Sequence, residues 1–236
     1  MTKTAKTYIA LVILSGAAVL LFAARSWPAS GWQQFGVYLG LAALASTLKV
    51  RIPGMEGTMS PNFVFLLLGM AACRFSEVVM MSLVAALVQC LWASAKRPRL
   101  VQVAFSAATL VVSASVAYQL SHLFLAGGSS PSSVPLVLLA GSLYFPLNSA
   151  MVSIVIGLVE GQPLRQVSVR CYEWVFRHFM GGMVFAGLVS GAYSAATAWR
   201  GAMVLLPAVV LGYFYYVNRA ARTADRQRAQ SPAAAD

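Results

Sequence analysis

Charge is scarce in this chain: 10% of its 236 residues are charged and only six are acidic, where a soluble domain carries about 25% charged residues. With so little polar surface the chain cannot present a water-facing exterior, and a soluble fold is excluded. Histidine and cysteine are almost as rare. His122 and His178 lie in different segments, and Cys73, Cys90 and Cys171 form an odd set with no CxxC spacing and no histidine pair beside them. They read as buried thiols, not as metal ligands or a disulfide frame. Paired carboxylates, an HExxH, a Walker loop and a serine elbow are all missing. No catalytic residue, metal or cofactor is therefore expected.

What fills the chain instead is apolar. Hydrophobic residues make up 59% of it and the mean hydropathy is +0.74. A helical span consumes roughly 20 residues, so there is room for at most about eight spans with short loops and for no folded soluble domain. The expected architecture is all-α, a polytopic transmembrane bundle of six to eight spans over residues 1–218, with a basic, low-complexity tail at 219–236 that reads as disordered. The net charge of +11 lies in loops and tails between apolar runs. There it sets orientation and meets anionic headgroups, so the bilayer is the first partner and nucleic acid is not one.

Along the chain, residues 8–24 read as a retained helix in preference to a cleaved signal peptide. Residues 32–48 form a second span whose Gly36 and Gly40 make a GxxxG face suited to close packing within the bundle. The loop at 49–62 carries two prolines and two glycines and cannot be a continuous helix. Residues 62–73 are apolar, but twelve residues rise only about 18 Å where the hydrocarbon needs about 30 Å. That segment is either a short helix shielded by its neighbours or half of a re-entrant hairpin completed by residues 78–92. Spans follow at 101–126 and at 134–159, the latter interrupted and kinked near Pro146. Residues 160–178 read as an amphipathic helix at the headgroup boundary, and two last spans fall at 179–198, with Gly187 and Gly191 as a second small-residue face, and at 202–217. Tyr213, Phe214, Tyr215 and Tyr216 before Arg219 and Arg222 form an interfacial belt. Lys49, Arg51, the cluster at 96–99, the 160–178 connection and both tails hold nearly all the cations, which places these and both termini in the cytoplasm; Arg25, Arg200 and, in one topology, Arg74 fall on the other side.

Ionisable and amide groups within apolar spans are the default functional candidates, because a charge at the bilayer centre costs at least about 2.5 kcal/mol. Arg74 and Glu77, spaced i, i+3, are placed to pair on one helical face, either in a solvated turn or against a ligand. With Asn62 and Asn148 they are the candidate ligand-binding residues. Gln89, Gln102, Gln119 and His122 read as interhelical or interfacial groups. On the amphipathic segment, Arg170, Glu173, Trp174 and Arg177 are the candidate partner-coupling residues.

Several of these stretches carry a family resemblance from about Leu41 onward. The run Val50-Arg51-Ile-Pro-Gly-Met-Glu-Gly-Thr-Met-Ser60 leads into a short apolar helix, and Arg97-Pro-Arg-Leu-Val-Gln-Val-Ala-Phe105 opens a span. Tyr144-Phe-Pro-Leu-Asn148 sits inside a later span, and Glu160-Gly-Gln-Pro-Leu164 leads to Tyr172-Glu-Trp174. Together they resemble the multi-pass membrane sensor module at the amino terminus of many bacterial HD-GYP and GGDEF signalling proteins, although Ser106 stands where that pattern usually has asparagine. The resemblance implies a helical bundle in the bacterial inner membrane that passes a signal to a cytoplasmic cyclic-di-GMP enzyme. No such domain is read in these 236 residues, so the expectation is a sensor-like or accessory protein without catalytic activity, coupled to a separate cytoplasmic or membrane partner. A fainter likeness is to substrate-binding subunits of energy-coupling-factor vitamin transporters, whose covering loop is external where Lys49 and Arg51 place this one inside. The alternative function is accordingly a small-molecule or lipid carrier, with a midplane pocket built by the short helix after Asn62 and the Pro146 kink.

Overall fold

The structure, a computed structural model, describes residues 2–27, 32–51, 58–92, 98–125, 133–161 and 164–192 together with 200–204, 207–209, 212 and 215; of residues 50, 51, 58, 59, 164–175 and 177 it describes the backbone alone. Among the described residues seven helices are bounded, α1 Lys3–Arg25, α2 Trp32–Thr47, α3 Asn62–Ala72, α4 Phe75–Leu91, α5 Leu100–Leu125, α6 Ser133–Glu160 and α7 Leu164–Ala192, and residues 200–204 and 207–209 are helical as well. Between α2 and α3 a small antiparallel ribbon pairs β1 Val50–Arg51 with β2 Thr58–Met59, Val50 opposite Met59. The tail at 219–236 and most of the expected span at 202–217 lie outside the described residues.

Helix ends follow from the sequence. The Thr2 hydroxyl accepts the Ala5 N–H at 3.2 Å and starts α1, and the Gln102 side chain accepts the Arg99 N–H at 3.0 Å at the start of α5. Hydrogen bonds and ring contacts fix the directions. The Ser26 and Ser76 hydroxyls bond at 3.1 Å, Tyr118 reaches Cys73, and Ser133 reaches the Ser190 carbonyl at 2.7 Å, all at one end of the bundle. At the other end Asn62 reaches Ser46, and the Tyr8 hydroxyl donates to the Met151 carbonyl. Odd-numbered helices therefore run one way and even-numbered helices the other.

Helices α1, α5 and α6 are long and apolar enough to cross a membrane, while α3, α4 and the His178–Ala192 part of α7 are apolar but shorter. Among the described residues three helices qualify by length and composition, where six to eight spans were expected. A helix enclosed by others has no lipid thickness to match. α3 is the extreme case: Asn62 through Met70 are all buried, so the helix is apolar all round and sits in the centre of the bundle, against α2, α4, α6 and α7. It is the shielded short helix of the two readings. It does not turn back at mid-depth, because its carboxyl end lies level with Ser26 and with the first turn of α2.

Two further expectations change. α6 runs unbroken through Pro146, which lies on the exposed face of the helix. The amphipathic segment is not a separate surface helix either, because α7 continues from Leu164 to Ala192 without a break at 178.

Close approach of helices rests on small residues. A Cβ on Gly16 would lie 2.6 Å from the Ala108 Cβ and 2.7 Å from its Cα, so α1 and α5 touch nearly backbone to backbone. Gly182 leaves room for Phe63 and Val64, Gly141 for Met183 and Leu67, and Gly191 of the second small-residue face for Val134 of α6. The first such face is not used. Phe35, Tyr38, Leu41, Ala42 and Ala45 point α2 inward, which leaves Gly36 and Gly40 on its outer side with nothing within 4 Å. Substituting each glycine by alanine separates packing from helix propensity. Gly16→Ala should lower stability by about 1–3 kcal/mol through overpacking, whereas Gly36→Ala should raise it by up to about 1 kcal/mol, as measured by reversible unfolding in mixed micelles.

Candidate functional site

Polar groups in the apolar interior gather at the two ends of α3. At its amino end the Asn62 amide, 4% exposed, donates to the Ser46 hydroxyl at 3.1 Å and to the Gln89 side-chain oxygen at 3.2 Å. The same Gln89 oxygen accepts from the Ser60 hydroxyl at 3.2 Å, and Ser46 in turn donates to the Ala42 carbonyl at 2.7 Å. Nearby, Lys49 Nζ donates to the Trp92 carbonyl, and Cys90 hydrogen-bonds Ser106 of α5. Helices α2, α3 and α4 are thus tied to one another where α3 begins.

At the carboxyl end the turn into α4 is held from four directions. Gln34 Nε2 of α2 donates to the Ala72 carbonyl at 3.3 Å, and the Tyr118 hydroxyl of α5 donates to the Cys73 carbonyl at 3.4 Å. Ser76 donates to the Ser26 carbonyl of the α1 end at 3.1 Å, and Cys73 N–H closes the last turn of α3 on Gly69 at 2.7 Å. Behind Tyr118 its ring stacks on His122 at 4.0 Å and meets Phe75 edge-on at 5.6 Å. The buried Tyr38 hydroxyl has no partner among the described residues.

Arg74 and Glu77 sit in this turn but do not pair through their side chains as the spacing suggested. Glu77 is buried and its carboxylate accepts the Arg74 backbone N–H at 2.7 Å, while the Arg74 side chain is exposed. The helix dictates this geometry: Arg74 is the residue preceding the first turn of α4, so its N–H is one of the orphan donors there, and the positive end of the helix dipole favours a carboxylate. The buried carboxyl group thus has a backbone hydrogen-bond partner at the helix start.

The other candidates separate. Asn148 lies on α6, half-buried, with its side-chain oxygen buried and unpartnered among the described residues, while the Asn62 amide is bonded to Ser46 and Gln89. Aromatic rings pack together where α3, α6 and α7 meet. Phe179 of α7 stacks on Phe63 of α3 at 4.5 Å and on Phe145 of α6 at 4.7 Å, with Tyr144 at 6.2 Å. Arg170, Glu173, Trp174 and Arg177 follow one another along the amino-terminal half of α7; their side chains lie outside the described residues. Tyr38, Tyr118 and the serines at 26, 46, 60 and 76 were not singled out by sequence reasoning, and Cys73 was read only as a buried thiol. Small hydroxyls and tyrosines are common in apolar spans, and only contact across helices distinguishes these. Among the described residues no three His, Cys, Asp or Glu side chains are placed to hold a metal ion.

Compared with known proteins, residues 7–217 match the MASE9 family model. No curated protein and no solved structure matches the chain.

The two asparagines make a direct test of these environments. Asn62→Leu removes two interhelical hydrogen bonds, each worth about 0.6 kcal/mol and up to about 1.7 in a membrane protein, and should destabilise the bundle by about 1–2 kcal/mol. Asn148→Leu removes an unpartnered group and should leave stability unchanged or slightly higher. Both are read by the same micellar unfolding assay.

Proposed function

Because the chain belongs to the MASE9 family, and MASE domains are membrane-associated sensor modules, we propose that it receives a signal at one end of the bundle and delivers it at the other, without catalysing a reaction. The observation that carries this reading is α3, a stiff rod buried on all sides and tied by hydrogen bonds to other helices at both ends. Because α3 is enclosed on all sides, a displacement of the turn at 73–77 is carried along it to Asn62 and Phe63. Phe63 is stacked on Phe179 and fitted against Gly182. The movement therefore passes to α7, whose other half carries Arg170, Glu173, Trp174 and Arg177. Two-state repacking of helices is the ordinary physical route by which such shifts are read out.

In the topology we assign, the seven helices alternate across a bacterial inner membrane, an eighth span falls at 202–217, and both termini are cytoplasmic. The turn at 73–77 is then the outer, receiving end and the start of α7 the cytoplasmic, delivering end. The partner is a cytoplasmic signalling protein of the HD-GYP or GGDEF kind, in keeping with the sequence resemblance. The carrier alternative draws less support, because Asn62 is engaged by Ser46 and Gln89 and the neighbouring space holds the Phe63–Phe179 stack.

Reversing charge at Arg170 and Arg177 together, each to Glu, should reduce partner recovery by at least about tenfold, since like charges at a formed interface cost several kcal/mol. Membrane insertion should be unaffected. The measurement is quantitative mass spectrometry of proteins co-purified from native membranes in mild detergent, and an unchanged partner yield would eliminate the role given to this segment.

A further inference from the structure

Two cations depart from the charge asymmetry of the chain, and the fold brings them together. Arg25 is the last residue of α1 and Arg74 the residue before α4, and both side chains are exposed. The hydrogen bonds between Ser26 and Ser76 join the two helix ends directly beside them. The carboxylate nearest in sequence, Glu77, is buried and committed to the Arg74 backbone. Neither guanidinium is paired with a carboxylate among the described residues.

Beside these helix ends, α1 and α4 border a cavity of about 160 Å³ lined by Leu20, Ala23, Ala24, Trp27, Val79, Met80 and Ser76. The lining is almost wholly apolar. A dry cavity of about 150 Å³ admits a molecule the size of benzene, roughly a six-carbon stretch of chain, and an empty one forfeits the dispersion contacts of its walls. Leu21 and Phe22 beside it are 66% and 60% exposed, so the cavity adjoins the outward, lipid-facing side of α1. Arg25 follows the lining residue Ala24, and Arg74 stands two residues before the lining residue Ser76, so two exposed cations flank an apolar slot in the chain.

We propose that this site binds a single-chain anionic amphiphile, a fatty-carboxylate-like molecule whose headgroup meets Arg25 and Arg74 and whose chain enters the cavity between α1 and α4. The charge complementarity of two unpaired guanidiniums selects an anion, and the slot, too small for a second chain, selects one acyl tail over the two of a phospholipid. The site names a ligand class for the receiving end proposed above and rests on that reading only for its signalling consequence. An amphiphile seated there would wedge the Ser26–Ser76 contact and push on the turn that ends α3.

Binding can be measured without any partner, so failure of the site and failure of the sensor reading are distinguishable. The full-length protein in phosphatidylcholine nanodiscs is titrated with 6-bromododecanoate, whose bromine sits on the part of the chain that the slot would hold and quenches tryptophan on contact, and the Trp27 signal is the difference from a Trp27→Phe variant. Saturable quenching is expected, at a concentration at least about tenfold below that of the uncharged 6-bromododecanol. Arg25→Gln with Arg74→Gln should raise the half-saturating concentration about tenfold, as the loss of two solvent-edge ion pairs implies, and the paired Arg→Lys variant should restore it. Ala24→Leu, which fills the slot from an exposed position, should remove the saturable phase. Arg25, Arg74 and Ala24 are exposed and Trp27 is half-buried, and an unchanged thermal midpoint confirms that each variant is folded. The proposal is overturned if acid and alcohol quench alike and linearly, if the double glutamine or Ala24→Leu variant binds like the parent, or if only a brominated anionic phospholipid quenches.

Discussion

Hydrocarbon offers a hydrogen-bond partner to nothing, and the central helix of this protein is built around that fact. The eleven-residue helix α3 is enclosed by its neighbours over most of its length, so a buried polar group at its ends that no other helix met would remain unpaired at a cost of several kcal/mol. At the amino end the Asn62 side chain reaches Ser46 and Gln89; at the other end Gln34 and Tyr118 meet the Ala72 and Cys73 carbonyls, and the Ser76–Ser26 and Arg74–Glu77 bonds hold the turn beside them. These bonds tie α2, α4 and α5 to α3, and α1 to the start of α4. At the carboxyl end, satisfying the backbone and tying the helices together are one arrangement.

That continuity gives physical content to a sensing role. Membrane helices lack a strong hydrophobic drive to associate with one another, and their arrangement rests on packing and on the few hydrogen bonds they share. Here packing runs through the stack of Phe63, Phe145 and Phe179 and through the glycines that admit it. A stack of rings at 4.5–4.7 Å does not deform gradually. It shifts as a unit or repacks, and either response carries a change at the α3–α4 turn to α7.

The parts that were legible in the sequence are those governed by periodicity and length. The apolar runs gave helices close to the expected bounds, and the mismatch between twelve residues and a bilayer correctly singled out the segment after Asn62 as needing protein on all sides. Arg74 and Glu77 were rightly placed in a turn, but not their bonding, because i, i+3 spacing speaks of side chains while the orphan N–H of a helix start competes for the same carboxylate. The two small-residue faces had the same signature, yet Gly191 packs on α6 while Gly36 and Gly40 face outward. Which side of a helix looks inward is decided by the whole set of its neighbours. For the same reason Tyr38, Tyr118 and the serines carried no local signal: their roles exist only between segments up to fifty residues apart.

The central claim is that α3 couples the two ends of the bundle as a single body, and amide hydrogen exchange in nanodiscs addresses it directly. Tyr118→Phe removes the bond to the Cys73 carbonyl without altering the aromatic packing. If α3 is a rigid link, protection should fall at 73–77 and also at the far sites, 62–65 and 179–183. A loss confined to 73–77, with the amino end of α3 and the facing turn of α7 as protected as in the parent, would contradict it.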